Sequence, residues 1–145
     1  MRRRPRIALL DPGEVLPHEE VEPKRVEVLM ADILARGALI RPVIVDAETG
    51  LLVDGHHRLA ALKLIGARAV PAVLIDYAVD VERVVVRRPK ALGLSRWSVP
   101  VFEGDDLVWL RDTIISLPDL LPPRTTHHIT WAKRVVRPYS LRRLL

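Results

Sequence analysis

Apolar residues recur with a helical period in three segments of the chain. Between Lys24 and Arg36 they fall every three or four positions, which predicts a helix that buries one face. Gly37 follows this segment, and glycine readily takes the left-handed conformation that ends a helix. The same spacing predicts a second helix from His56 to Ile65 and a third from Asp105 or Asp106 to Leu117.

Short apolar runs outside these helices predict strands. A turn of Asp11, Pro12 and Gly13 ends the first run, and residues 46–50 have a length that suits a hairpin. Residues 87–103 have no clear period, and residues 121–128 are predicted to form a rigid polar loop. The five predicted strands are Ile7–Leu10, Pro42–Val45, Leu51–Val53, Val70–Ile75 and Val81–Val86.

Length and composition limit the kind of protein. With 145 residues and 16.4 kDa, we expect one domain over residues 1–145, with basic tails at both ends. No apolar run approaches the roughly 18 residues of a membrane helix, and the four-residue run before Asp11 is too short for a signal-peptide core. We therefore expect a cytoplasmic protein with no membrane association. The lack of cysteine excludes disulfides, thiolate metal sites and thiol nucleophiles.

The net charge of +5 favours a solvated basic surface over a specific nucleic-acid interface. Much of the excess lies near the chain ends, on Arg2, Arg3, Arg4, Arg6, Arg134, Arg137, Arg142 and Arg143. The chain contains no Asn or Gln, and a shortage of thermolabile side chains is typical of thermophilic proteins.

All five histidines fall within three short segments, and this clustering indicates a site. Singly, His18 could close a turn, His56 and His57 could be exposed helix residues, and His127 or His128 could cap a buried group. The segments are Pro17-His18-Glu19, Asp54-Gly55-His56-His57-Arg58 and Thr125-Thr126-His127-His128.

The DGHHR segment at residues 54–58 carries the strongest chemical signal. A strand that turns at Gly55 into a helix presents unpaired backbone N–H groups and the positive end of the helix dipole at one point, which favours a phosphate. His56, His57 and Arg58 add donors, and a guanidinium can bind a phosphate through two parallel hydrogen bonds. Asp54 leaves two roles open: it caps the helix, or it holds Mg²⁺ or orients an attacking hydroxyl.

Two other site chemistries fit the sequence poorly. Adjacent helical positions such as His56 and His57 do not face the same way, and no Cys or suitably spaced His completes a zinc set. No Ser lies in the strand-turn-helix context of a catalytic nucleophile.

The ordered motifs resemble those of archaeal free-serine kinases of the ParB/sulfiredoxin-like superfamily. That family carries a P-H-E segment, a D-G-H-H-R phosphate loop, a strand ending in Asp-Tyr, and a late P-K-T-T-R-H loop. The counterparts here are Pro17-His18-Glu19, Asp54 to Arg58, Asp76-Tyr77 and Pro123-Arg124-Thr125-Thr126-His127-His128. The resemblance implies an α+β fold, with a small mixed sheet and flanking helices.

The resemblance also implies phosphoryl transfer from ADP or ATP to free L-serine, giving O-phospho-L-serine. Glu19 and Asp54 would be catalytic, Asp54 would bind Mg²⁺, and Gly55, His56, His57 and Arg58 would bind the nucleotide phosphates. A carboxylate beside the hydroxyl takes its proton while cationic groups stabilise the transferring phosphoryl. The residues expected to bind the substrate are His18, Trp97, Thr125, Thr126 and His128.

Some features depart from the family and leave alternatives open. His127 replaces the Arg of the late loop, residues 87–103 stand where the family has a longer insert, and Trp97 matches the family tryptophan only from a shifted position. A ParB-type DNA-partition module, a nucleotide-binding regulator without chemistry, and a kinase of another small hydroxyl compound are the alternatives. We expect no specific nucleic acid among its partners, and the oligomeric state stays open.

Overall fold

Four strands form a mixed sheet at the centre of the structure, a computed structural model that describes residues 5–87, 101–117 and 124–145. The sheet order is β1-β5-β3-β4, with β5 parallel to β3 and both outer strands antiparallel to their neighbours. In chain order the elements are β1 (Arg6–Leu10), α1 (Pro23–Arg36), β2 (Ala38–Leu39), β3 (Val43–Asp46), β4 (Leu52–Asp54), α2 (His56–Ile65), β5 (Val70–Ile75), α3 (Tyr77–Asp80), β6 (Arg83–Arg87), β7 (Val101–Phe102), α4 (Asp106–Ser116), β8 (Arg124–His128), α5 (Thr130–Lys133), β9 (Tyr139–Ser140) and α6 (Leu141–Leu144).

Nearly all residues of β3, β4 and β5 are buried, whereas the edge strand β1 is partly exposed. Alternate residues of β3 enter different cores: Val43 and Val45 pack with α1 and α2, whereas Ile44 packs with α4 and the second sheet. The predicted helices and the β3–β4 hairpin are confirmed to within two residues of their expected bounds. Within the described residues, no helix combines the length and apolar character needed to cross a bilayer.

A second sheet, of order β7-β6-β8, covers one face of the first. The prediction of a polar loop over residues 121–128 is wrong from Arg124 onward, because β8 pairs antiparallel with β6 from Arg83↔His128 to Arg87↔Arg124. The β-branched Thr125 and Thr126 suit this extended conformation once a partner strand is available. Residues 121–123 lie outside the described residues.

The C-terminal segment is part of the folded body, so the expectation of a basic tail there is wrong. β9 pairs with β2, and Leu144 is fully buried in the core beneath α1 and α2. The Leu144 carbonyl accepts hydrogen bonds from the N–H groups of Arg68 (2.7 Å) and Ala69 (3.2 Å). Arg137 and Arg143 both lie over the Tyr139 ring, with their guanidinium carbons 5.3 and 5.4 Å from its centroid. At the other end, Arg2, Arg3 and Arg4 lie outside the described residues.

A row of four aromatic rings connects α3, β8, the loop before α1 and the start of α2. Tyr77, His127, His18 and His56 contact one another in that order, edge to face, with centroids 5.6, 5.7 and 4.6 Å apart. The Tyr77 hydroxyl and His127 Nε2 share a hydrogen bond of 3.1 Å. Burial lowers the pKa of His18 to about 4 and that of His127 to about 3. Both inner rings are therefore neutral in the folded protein at physiological pH.

The low pKa values of His18 and His127 predict that stability falls as the pH drops from 7 to 5. In the unfolded chain both groups take up protons near pH 6.5, whereas in the folded protein they stay neutral, so acid favours unfolding. We expect a loss on the order of 2 kcal/mol per histidine over this range, measured by urea unfolding at each pH. His127→Phe removes one of the two groups and should roughly halve the loss. An unchanged pH slope in that variant would contradict the assignment.

A substitution at Gly55 should also lower stability, because the backbone of this residue is in the left-handed region at φ 102°. A Cβ at this position would lie 2.7 Å from Val43 Cγ1. We expect Gly55→Ala to cost about 2 to 4 kcal/mol of unfolding free energy, from backbone strain and overpacking together. Gly37→Ala is the matched control, since Gly37 has φ 66° and no atom within 4 Å of an added Cβ. Equal losses in the two variants would show that the contact with Val43 is unimportant.

Candidate active site

A cavity of about 510 Å³ lies where three distant segments meet. These are the loop before α1, the start of α2 and the start of β8. Among the described residues of its wall, Leu29 is the one purely hydrocarbon side chain, so this part of the cavity suits a charged ligand. The lining residues are Glu19, Glu20, Glu22, Arg25, Leu29, Asp54, Gly55, His56, His57, Arg58, Arg124, Thr125 and Thr126.

The N-terminus of α2 opens into this cavity. Gly55 precedes the helix in the left-handed conformation, and no side chain caps the helix end. The first backbone hydrogen bond of the helix runs from Leu59 N–H to the Gly55 carbonyl at 2.9 Å. The N–H groups of His56, His57 and Arg58 therefore have no partner within the helix, which is the arrangement that binds anions. Asp54 does not cap α2, so the capping alternative is wrong.

The two histidines of the DGHHR segment bind the loop that precedes α1. His56 Nε2 accepts a hydrogen bond from the His18 N–H (3.2 Å), and His57 Nε2 accepts one from the Glu22 N–H (3.1 Å). Since an accepting nitrogen carries no proton, both rings are neutral with the proton on Nδ1. Burial, followed by the nearby Arg25 charge, lowers the pKa of His57 in agreement with this.

Glu19 lines the cavity and accepts hydrogen bonds on both carboxylate oxygens. His56 Nδ1 lies 2.9 Å from Oε2, and the Thr125 N–H donates to Oε1 at 2.5 Å. Burial alone would raise the pKa of this carboxyl, but the hydrogen bonds from His56 and from the Thr125 N–H lower it overall. The group is thus ionised at neutral pH and held in one orientation.

The ring of His56 has no nitrogen left for a phosphate, since Glu19 and the His18 N–H occupy both. His56 can therefore offer only its backbone N–H to the expected phosphate site. The ring of His57 keeps its Nδ1–H for a ligand. The two adjacent histidines, alike in sequence, therefore differ in what they can offer the cavity.

The Arg58 guanidinium is directed mainly at the protein itself. Nη1 donates to the carbonyls of Pro42 (2.7 Å) and Arg41 (3.2 Å), and Nη2 donates to Asp54 Oδ2 (3.0 Å). Burial lowers the pKa of Arg58, and the Asp54 carboxylate opposes that effect. The expected two-pronged grip on a phosphate is not the geometry that the structure gives this side chain. It fixes Asp54 and the start of β3 instead.

One cluster of side chains and one separate carboxylate are the candidates for holding a metal ion among the described residues. In the described residues, His18, Glu19 and His56 bring ligand atoms within 4.8 Å of one another. This cluster suits a metal poorly, because both His56 nitrogens are occupied and His18 is buried behind the cavity. Asp54 fits Mg²⁺ better: its carboxylate lies in the cavity wall beside the free N–H groups of α2, and Mg²⁺ is usually held by one or two carboxylates together with phosphates.

The residues expected to bind substrate are not all in the cavity. Thr125 and Thr126 line it, but His18 is buried and His128 pairs with Arg83, and neither is among the residues that line the cavity. Trp97 lies outside the described residues. His127 was not selected from the sequence, yet it is 2% exposed and contacts His18. In a strand, His127 and Thr125 lie on the same face, so a strand prediction would have placed His127 beside Thr125. The segment was predicted to be a loop instead.

The sequence is similar to a known domain family and to several characterised proteins. The family model of the ParB N-terminal domain matches residues 4–86. An ATP-dependent L-serine kinase from Staphylothermus marinus is 47% identical over 73 residues, and an ADP-dependent L-serine kinase from Thermococcus kodakarensis is 33% identical over 81 residues. The matched segments are 48% and 53% of this chain but 29% and 34% of those relatives.

A solved structure of a free serine kinase in complex with AMP has the same fold. It superposes with a TM-score of 0.55 and 16% identity, covering 99% of this chain and 95% of that one. The expected α+β architecture of the ParB/sulfiredoxin-like type, with a small mixed sheet and flanking helices, is confirmed. Because the family model covers more than half of its length, the chain belongs to the ParB N-terminal domain family.

Proposed function

We propose that this protein is a free L-serine kinase that transfers a phosphoryl group from ADP or ATP to the serine hydroxyl. The observation that carries the proposal is the ionised Glu19 carboxylate, held by His56 and Thr125 in the same cavity as the uncapped N-terminus of α2. The Glu19 carboxylate suits a proton acceptor, and the N-terminus of α2 suits a phosphate group. The names of the two L-serine kinase relatives support the same activity.

The nucleotide phosphates would bind at the start of α2. Gly55 leaves room for their close approach, the N–H groups of residues 56–58 donate to phosphate oxygens, and His57 offers its Nδ1–H. Asp54 would hold Mg²⁺, which neutralises charge on the transferring phosphoryl. Arg58 acts on this end of the cavity indirectly, because it orients Asp54 through the 3.0 Å hydrogen bond.

The serine hydroxyl would lie between the terminal phosphorus and Glu19. As the new O–P bond forms, the bond from phosphorus to the leaving phosphate oxygen breaks, and the hydroxyl proton passes to Glu19. The products are O-phospho-L-serine with AMP from ADP, or with ADP from ATP. Since two fixed donors keep the Glu19 oxygens in place, no reorganisation of the base is needed during transfer.

Two alternative functions share parts of this site. A ParB-type nucleotide-binding module that acts on DNA would use the α2 N-terminus, and the family membership favours it to that extent. Such a module has no need for an ionised carboxylate that is held by two hydrogen bonds in the cavity. A kinase of another small hydroxyl compound would need both features.

Direct assay separates these functions. We expect phosphoserine, together with AMP or ADP, when the protein is incubated with Mg²⁺, L-serine and either ADP or ATP, and mass spectrometry detects all three. Nucleotide binding without phosphoserine would overturn the kinase and favour the binding module. Phosphorylation of a different hydroxyl compound in place of serine would keep the chemistry and change the acceptor.

Glu19→Gln should lower turnover by about 10²- to 10⁴-fold, the usual contribution of a general base. The amide retains the size of the side chain but has one oxygen for two donors and no basic group at neutral pH. Nucleotide affinity, measured by calorimetry, should barely change, because the α2 N-terminus is untouched. Glu20→Gln is the matched control: Glu20 is the next residue, is exposed and lines the same cavity. Near-normal activity of Glu19→Gln would exclude this carboxylate as the base.

A further inference from the structure

Arg124 is a cationic cavity residue that the proposed reaction has not yet used. It is the first residue of β8, and its Nη2 lies 3.1 Å from Glu22 Oε1 in the loop before α1. The two side chains are 55% and 48% exposed, and both line the cavity. The ion pair therefore connects two walls of the cavity at its solvent side.

This ion pair is easily exchanged for another. Exposed ion pairs contribute about 0 to 1 kcal/mol, so separating Arg124 from Glu22 costs little. A guanidinium binds carboxylates through parallel hydrogen bonds. The Glu22 carboxylate thus occupies a position that the carboxylate of a small molecule could take. Such a carboxylate has the same charge and would accept hydrogen bonds from the same Arg124 guanidinium.

Arg124 lies beside the residue that binds the Glu19 carboxylate. Arg124 directly precedes Thr125, whose N–H binds Glu19, and consecutive Cα atoms are about 3.8 Å apart. Its partner Glu22 donates its N–H to the His57 ring and, like Arg25, acts electrostatically on it, so the ion pair lies near both His57 and Glu19. A compound whose carboxylate binds Arg124 would have its other groups close to Glu19.

We propose that Arg124 selects acceptors that carry a free carboxylate, and that Glu22 occupies its guanidinium until the acceptor enters. The inference rests on the proposed kinase function and specifies its substrate class: hydroxy acids with a carboxylate close to the reacting hydroxyl. Ethanolamine, which has the amine and hydroxyl of serine but no carboxylate, is excluded by this selection.

The test compares L-serine and ethanolamine as acceptors at saturating nucleotide. Arg124→Gln should raise the KM for L-serine by about 10- to 100-fold, the loss of hydrogen bonds to a charged group, and leave the nucleotide KM and the low ethanolamine activity unchanged. Glu22→Gln should lower the L-serine KM by about 2- to 5-fold, because it removes a competitor worth no more than an exposed ion pair. Its backbone N–H still binds His57.

Arg36→Gln is the matched control. The Arg36–Asp32 pair has nearly the same exposure, 55% and 49%, but lies on α1 outside the cavity wall, so its loss should leave both KM values unchanged. A structural role for the Arg124–Glu22 pair would move the two variants in the same direction, and that result would overturn the inference. A higher nucleotide KM in Arg124→Gln would overturn it too, by assigning Arg124 to the phosphates.

Binding of labelled L-serine by equilibrium dialysis separates this inference from the kinase proposal. If the wild type forms no phosphoserine but binds L-serine, and Arg124→Gln loses that binding, the kinase proposal fails and the carboxylate site stands. If phosphoserine forms and Arg124→Gln binds L-serine as well as the wild type, the kinase stands and the carboxylate site fails. No binding by the wild type would overturn the carboxylate site.

Discussion

The candidate site depends on one carboxylate that accepts hydrogen bonds from two parts of the fold. Glu19 receives one from His56, at the start of α2, and one from the backbone of Thr125, 106 residues away on β8. The first donor belongs to the central sheet and its helices, and the second belongs to the smaller sheet. Without this carboxylate, the two donors would face each other across the cavity with no acceptor between them. The loop before α1 therefore connects these two walls of the cavity.

The neutrality of the histidines makes that geometry possible. A backbone N–H needs an unprotonated nitrogen as its acceptor, so the His18 and Glu22 amides keep His56 and His57 neutral on Nε2. This leaves the Nδ1 proton of His56 for Glu19. Behind them, burial keeps His18 and His127 uncharged. One negative carboxylate thus stands beside a row of neutral rings, where its charge is not cancelled by an adjacent imidazolium.

The cavity has different chemistry at its two ends. Around α2, unpaired N–H groups, His57 and Asp54 form a surface suited to phosphate and to a divalent cation. Around β8, Thr125, Thr126 and Arg124 offer a hydroxyl-rich and cationic surface. Glu19 lies between them, within reach of both. This division by charge and by donor type underlies both the proposed reaction and the proposed selection of carboxylates.

Local sequence determined the three longest helices, the hairpin and the DGHHR turn, because hydrophobic period and glycine conformation act over a few residues. It also brought out Glu19, Asp54, Gly55, Thr125 and Thr126, through motifs whose order along the chain could be recognised without knowing their contacts. Tertiary structure decided the rest. Residues 124–128 became a strand only through pairing with β6, and the C-terminal segment joined the core only through β2. The roles of His18, His56, Arg58 and Arg124 depend on partners 4 to 102 positions away, and on which of their donors those partners already occupy. A sequence shows which donors and acceptors a side chain carries, but only the folded chain determines which of them remain for a ligand.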